Sequence, residues 1–287
     1  MSGPRQENTT QAPFPDLHIL PLEALLPHEE HDPQRALPLI ERLRQDSTWL
    51  NPPIIAPIDS SDRYVILDGA NRHHALQALG YAFILAQVVP YQSKAVHLET
   101  WHHAVRGLPL EALLSRFRAI DGVTVQQTSL LNARAALASR QVLAYSILKD
   151  ERVFALRQDP THEGTRTAML RQVVGAYKHD SQISRITHDE MENIRRLYPD
   201  ATAIVVFPRY EPAEIMVAAR DRDLLPPGIT RHIIYGRALH LHYPLQELQH
   251  RDRPLEEKNA RLQGWVRERL AQKRVRFYAD PTFLFDE

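Results

Sequence analysis

Apolar and polar positions along this chain alternate in two periods, one suited to strands and one to helices. Short apolar runs over Leu17–Leu20, Ile54–Ile58, Arg63–Leu67, Phe83–Val89 and Val96–Trp101 predict strands. The polar stretch Asp59–Asp62 predicts the turn between the second and third of these. Helical spacing covers 33–45, with Pro33 in the first turn, although Pro38 inside that stretch predicts a kink or a later start. It covers Ala70–Leu79 as well, where Gly80 is the expected stop. Leu26–Pro33 between these elements reads as a loop.

After Gly107 the helical period dominates, over Leu108–Ala119, Leu130–Arg140, Arg166–Tyr177, Asp189–Leu197 and Glu211–Arg220. Ala203–Phe207 is an apolar strand, and Arg231–Tyr235 with Ala238–His242 is an expected strand pair bent at Gly236. Leu255, Leu262, Val266 and Leu270 place one apolar stripe on a helix starting near Pro254. Val275–Tyr278 and Phe283–Phe285 are expected closing strands. The pattern describes an α/β (α+β) protein. A polar, disordered tail over 1–15 precedes a compact unit over 16–105 and a mixed α/β unit over 106–287.

Composition narrows the chemistry. The 287 residues include no cysteine, which excludes disulfides, thiolate metal sites and a cysteine nucleophile. Lys and Arg total 35, as do Asp and Glu, so the chain lacks the basic excess of a dedicated nucleic-acid binder. No run approaches the ~20 apolar residues of a membrane span, and the N-terminus has no apolar signal core. A cytoplasmic protein is expected. The ten glycines form neither a dinucleotide fingerprint nor a Walker loop, and no GxSxG, HExxH, HRD or DFG pattern is present.

One segment does carry chemistry. Tyr64–Gly80 reads as a strand that runs into Asp68-Gly69 and at once into a helix. A helix start presents unpaired N–H groups and partial positive charge, so it favours an anion. Gly69 allows close approach, Arg72 can fork onto phosphate oxygens, His73 and His74 add donors, and Asp68 suits Mg²⁺. A plain capped helix with a solvated arginine would use the same residues. Histidine pairs at 28/31, 73/74 and 102/103 suggest a metal, but none has the i, i+4 spacing of a dedicated helical site.

Asp68-Gly-Ala-Asn-Arg-His73, followed by Ala75-Leu76 and Ala78-Leu79-Gly80, resembles the nucleotide-binding box of the ParB/sulfiredoxin-like superfamily. Within it the chain is similar to the free L-serine kinases, archaeal and siderophore-associated. The likeness is carried also by Leu26–Arg35, Glu99–Val105 and Pro227–Leu239, whereas Val123–Pro199 matches loosely. The resemblance implies transfer of a phosphoryl group from ATP or ADP, with Mg²⁺, to the hydroxyl of free L-serine. The product would be O-phospho-L-serine for cysteine or siderophore-precursor synthesis. It implies a ParB/sulfiredoxin-like N-terminal domain, with Glu29 as catalytic base and the adjacent Glu30 as the alternative. Asp68 would serve catalysis and the metal, and Gly69, Ala70, Asn71, Arg72 and His73 would hold the donor. Thr230, Arg231 and Arg237, with His232, Trp101 and His102, are the implied substrate contacts; the default for Trp101 is core.

The rival within the same superfamily is a ParB-like, nucleotide-dependent DNA-binding or regulatory protein. No convincing helix-turn-helix follows the first unit, and the charge balance speaks against it. Sulfiredoxin-type repair needs a cysteine and is excluded. The free amino acid and the nucleotide are therefore the expected partners, with nucleic acid unlikely and the oligomeric state open.

Overall fold

The computed structural model describes residues 14–59 and 62–278. The expected strand over Phe283–Phe285 and nearly all of the expected tail lie outside these residues.

The first sheet is mixed, with β1 (Asp16–Pro21), β2 (Leu25–Pro27), β4 (Ile54–Pro57), β5 (Tyr64–Asp68) and β6 (Phe83–Val88) in the order β1-β6-β4-β5-β2. Strand periodicity sends Ile54, Ala56, Val65 and Leu67 to one face and Ile55 and Ile66 to the other. Helices α1 (Pro33–Gln45) and α2 (Ala70–Ala78) cover the Ile55/Ile66 face. Helix α1 runs through Pro38 without a break. Pro38 and Gln34, whose carbonyl loses its helical donor, are both exposed, so water replaces the missing bond. The two-residue strand β3 (Thr48–Trp49) buries Trp49, whose indole N–H donates to the Leu85 carbonyl.

The second sheet is antiparallel and contains most of what the hydrophobic pattern left unassigned. Its order is β12-β8-β13-β10-β11-β9. The strands are β8 (His102–Arg106), β9 (Val123–Thr128), β10 (Ala144–Leu148), β11 (Val153–Gln158), β12 (Gln182–Ile186) and β13 (Ala201–Val206). Helices α3 (Leu110–Arg118), α5 (Arg166–Lys178) and α7 (Pro212–Asp221) fill the space between the sheets. Val65 and Leu67 share this central cluster with Val105, Ala203 and Val205, so the two sheets bury a common core. Helices α4 (Leu130–Ala138) and α6 (Met191–Leu197) cover the outer face of the second sheet.

The chain crosses between the sheets at β7 (Val96–Thr100), which pairs antiparallel with β14 (Thr230–Ile234). β7 ends one residue short of the expected strand, although the Trp101 N–H still donates to the Ile229 carbonyl in the same register. Ala238–His242 is not a strand. His240 and His242 are left-handed (φ 53° and 54°), and this breaks the extended run. Buried Gln87 holds the preceding turn from both sides: it donates to the Gly236 carbonyl and accepts from the Ala238 N–H. The chain then returns to the first sheet through β15 (Tyr243–Pro244), α8 (Gln246–Gln249) and α9 (Leu255–Ala271). Val275–Tyr278 is irregular rather than extended pairing. No described helix is long and apolar enough to cross a membrane.

Helix α9 closes the edge of the first sheet with two side chains, Asn259 and Gln263, the latter donating to the Leu17 carbonyl at 3.3 Å. Asn259 accepts from the Ile19 N–H and donates to the Ile19 carbonyl, both at 2.9 Å, so it replaces a neighbouring strand. Ile19 is fully buried. Asn259→Ala should strand both groups and lower unfolding free energy by about 1–3 kcal/mol for each, measured by urea denaturation.

Candidate active site

A cleft of about 760 Å³ opens where both sheets and the β7–β14 ribbon meet. Three segments far apart in sequence build it: 28–30, 68–72 and 228–237.

The Glu29 carboxylate joins the first segment to the third. Oε1 accepts from the Thr230 backbone N–H at 2.6 Å and from its hydroxyl at 2.5 Å. Oε2 accepts from the Gly228 N–H at 2.9 Å. The backbones agree with this register: the Leu225 N–H donates to the His28 carbonyl, and the Glu30 N–H donates to the Leu225 carbonyl. Glu29 is thus a fixed carboxylate whose Oε1 is saturated and whose Oε2 keeps one lone pair free. Glu30 also lines the cleft, but its carboxylate is directed to the Arg171 guanidinium at 3.8 Å.

Two buried histidines hold this arrangement from behind. His28 donates from Nδ1 to the Ile66 carbonyl at 2.6 Å, so its neutral Nε2 is an acceptor that lies 2.8 Å from the Thr230 hydroxyl and competes with Glu29 Oε1 for its one proton. His103 places one ring nitrogen 3.1 Å from the Gly228 carbonyl and the other 2.8 Å from the Tyr177 hydroxyl. The nitrogen facing the carbonyl must be the donor, so Nε2 carries the proton and Nδ1 accepts from Tyr177. Burial lowers both imidazoles, His103 to about 3, and keeps them neutral near pH 7.

The second segment is the strand–turn–helix corner. Gly69, with φ at 109°, is the N-cap of α2, and no side chain caps the helix. The Ala70, Asn71 and Arg72 N–H groups therefore face the cleft end without helical partners. A Cβ on Gly69 would lie 2.9 Å from Pro53 Cβ, so sterics and backbone both demand glycine. Asp68 is not a cap. Its Oδ2 accepts from Arg72 at 2.8 Å and also from Arg237, and no described group donates to Oδ1. Burial alone would raise the Asp68 carboxyl, but the two guanidiniums outweigh it and hold it at about 2. Arg72 is fixed further by the Asn51 and Pro52 carbonyls, and Asn71 Oδ1 accepts from the Asp32 N–H.

The structure therefore brings Glu29, Asp68, Gly69, Ala70, Asn71, Arg72, Thr230, Arg231, His232, Arg237 and Trp101 to one cleft. Trp101 lines it rather than the core, with the Arg231 guanidinium 4.5 Å from its ring centroid. Arg231 also pairs with Glu99 at 2.8 Å. His232 is pushed down to about 3 by burial and the neighbouring His28, and it bonds the Tyr91 hydroxyl. Two expected residues stay outside. The His73 ring turns behind α2 to the Leu22 carbonyl, and His102 accepts from the Phe207 N–H on the other side of β8. His74 stacks on His31 at 3.6 Å in an adjoining cavity. No group of three described residues is arranged to hold a metal ion by itself. Sequence reasoning missed His28, Gly228 and Arg185 as parts of this cleft. His28 and Gly228, both inside matched segments, carried a usable signal, and Arg185 did not.

No protein-family model matches the chain. Among proteins of known activity it is similar to the ATP-dependent L-serine kinase of Staphylothermus marinus, 23% identical over 75% of this chain and 84% of that protein. It is similar to the ADP-dependent L-serine kinase SerK of Thermococcus kodakarensis, 23% identical over 81% of this chain and 93% of the other. The ATP-dependent L-serine kinase SbnI of Staphylococcus aureus is 24% identical over 94% and 97%. A solved free serine kinase in complex with AMP superposes with a TM-score of 0.70 at 19% identity, over 82% of this chain and 94% of that one. That likeness establishes a shared mixed α/β fold.

The Asp68 geometry has a measurable consequence. Its pKa lies below the ordinary 3.8, so the carboxylate stabilises the fold above about pH 4 and loses that contribution as pH falls toward 2. Asp68→Asn should remove that part of the acid dependence, and thermal midpoints between pH 4 and pH 2 will show whether it does.

Proposed function

We propose that this protein is a free L-serine kinase that transfers a phosphoryl group from ATP or ADP to the serine hydroxyl. The observation that carries the reading is the placement of the pinned Glu29 carboxylate across one cleft from the uncapped start of α2. Relatives aligned over most of their length carry the same activity in their names, which favours a kinase over a ParB-like regulator. We take the first sheet with α1 and α2 as a ParB/sulfiredoxin-like nucleotide-binding unit.

The chemistry follows from the atoms that remain free. The donor phosphates sit at the N–H groups of Ala70, Asn71 and Arg72, where helix polarity and the Arg72–Arg237 pair favour negative charge. Serine presents its hydroxyl to Glu29 Oε2, the oxygen with a lone pair to spare. As the serine oxygen attacks the terminal phosphorus, its proton passes to Oε2 and the bond from that phosphorus to the bridging oxygen breaks. The shortened nucleotide leaves with the electron pair. Asp68 Oδ1 fits Mg²⁺, which takes one or two carboxylates together with phosphate oxygens. When bound, the ion neutralises charge between the phosphates.

Phosphorus NMR or mass detection with L-serine, Mg²⁺ and either ATP or ADP tests the reading. O-phospho-L-serine is expected with at least one donor, and its absence with both would sink the proposal. Glu29→Gln should lower kcat by about 10²–10⁴-fold, the usual range for a general base. Glu30→Gln should stay near wild type, because its carboxylate pairs with Arg171 and, unlike Glu29, accepts no hydrogen bond from 228–230.

A further inference from the structure

The groups expected to grip the amino acid's carboxylate are already occupied. The Thr230 N–H and hydroxyl go to Glu29. Arg231 is bound to Glu99 and lies over Trp101. Arg237 is bound to Asp68. Each would have to give up a charged or buried partner to receive a substrate.

One cation on the base side of the cleft is free. Arg185 is in β12, outside every segment that the resemblance covers well, and it lines the same cleft. It makes no hydrogen bond or ion pair among the described residues, although the Glu29, Asp32 and Asp68 charges all act on it. The residue is exposed overall, although burial around the guanidinium is the largest influence on its charge. Its position is nonetheless determined. Arg185 is the antiparallel partner of His103, whose ring holds the Gly228 carbonyl. The Gly228 N–H in turn holds Glu29 Oε2. A Cβ on Gly228, itself at φ +79°, would come within 2.6 Å of the Arg185 guanidinium. The absent side chain is what lets the guanidinium lie directly against the backbone that orients the base. Arg35 and Arg42 are the other cleft cations without a partner among the described residues, but they stand on α1, which the Asp32–Asn71 bond fixes beside the donor corner.

We propose that Arg185 receives the substrate's carboxylate and so makes the enzyme specific for a free α-amino acid. The assignment rests on the kinase reading. Serine is short, so a hydroxyl at Glu29 Oε2 leaves its carboxylate only a few ångströms away, within reach of a guanidinium packed on Gly228. A planar guanidinium matches a carboxylate in a two-pronged pair. It would also select against hydroxyl compounds that lack the negative charge.

Steady-state kinetics on the full chain tests this. Arg185→Gln should raise KM for L-serine by about 10–100-fold, the loss expected for a charge-assisted pair, and leave KM for the nucleotide unchanged. Arg185→Lys should recover part of the serine KM, since it restores charge without the fork. A purely structural role would move both KM values together and show no charge rescue. An unchanged serine KM in an active Arg185→Gln variant overturns the assignment alone. So does a rise in the nucleotide KM, or a fall in kcat at constant KM, because either would put Arg185 on the phosphates. A wild-type protein that makes no O-phospho-L-serine overturns both the kinase reading and this assignment.

Discussion

The site depends on one carboxylate being held in place by donors from a distant part of the chain. Glu29 lies in a loop of the first sheet, and all three of its hydrogen bonds come from 228–230, about two hundred residues later. Without that connection the loop would keep its backbone bonds to Leu225, the His28 bond to Ile66 and the Asp32 bond to Asn71, but nothing described would orient the Glu29 carboxylate. With it, the carboxylate has one orientation and one free lone pair. This rigidity suits a base, because a group that acts on a single hydroxyl must be placed before the substrate arrives. The cost is a strand start, Gly228–Thr230, whose donors serve a side chain where a sheet partner would otherwise stand.

The same carboxylate transmits the influence of the second sheet. His103 belongs to β8, at the centre of one half of that sheet, and its ring fixes Gly228. Tyr177 of α5 fixes the ring in turn. Burial keeps His103 neutral, so it can donate to a carbonyl from one nitrogen and accept a hydroxyl from the other without carrying charge into the core. The path from α5 through β8 and Gly228 to Glu29 consists of consecutive hydrogen bonds that start in the core and end on a half-buried carboxylate. The shared apolar core between the sheets keeps its two ends in register.

What the sequence disclosed follows the range of its signals. The corner at Asp68–Arg72 was legible because everything it needs is local: a strand, a left-handed glycine and a helix start within a few residues. The elements β4, β5, α2, β6 and α9 were legible for the same reason, since each has an uninterrupted period. β12, QISRI, has too few apolar positions to declare itself, and Arg185 on it carries no mark that separates it from other surface arginines. β10, AYSIL, is buried at all five positions, so it has no alternation to read. The Ala238–His242 run failed in the opposite sense. Its apolar alternation suggests a strand, but Gln87 and Asn51 take its backbone donors and leave two histidines left-handed. Side chains committed across long sequence separations, such as Arg237 to Asp68, cannot be read from any window.

Net charge shows the same limit in electrostatic form. The chain balances 35 basic against 35 acidic residues, and by that measure has no preference for anions. The cleft does. Six arginines and four carboxylates line it. The carboxylates are not equivalent acceptors: Asp68 already neutralises parts of Arg72 and Arg237, and Glu30 faces Arg171, which is not among the cleft arginines. Among the described residues Arg35, Arg42 and Arg185 are left without ion partners, distributed on both sides of the point where Glu29 Oε2 is free. A site that must hold polyphosphate on one side and a carboxylate on the other needs this excess locally. A neutral surface elsewhere keeps it from becoming a general attraction for nucleic acid. Local surplus inside global balance is therefore the electrostatic form that suits the proposed substrates, a polyanionic nucleotide and a zwitterionic amino acid held by its carboxylate.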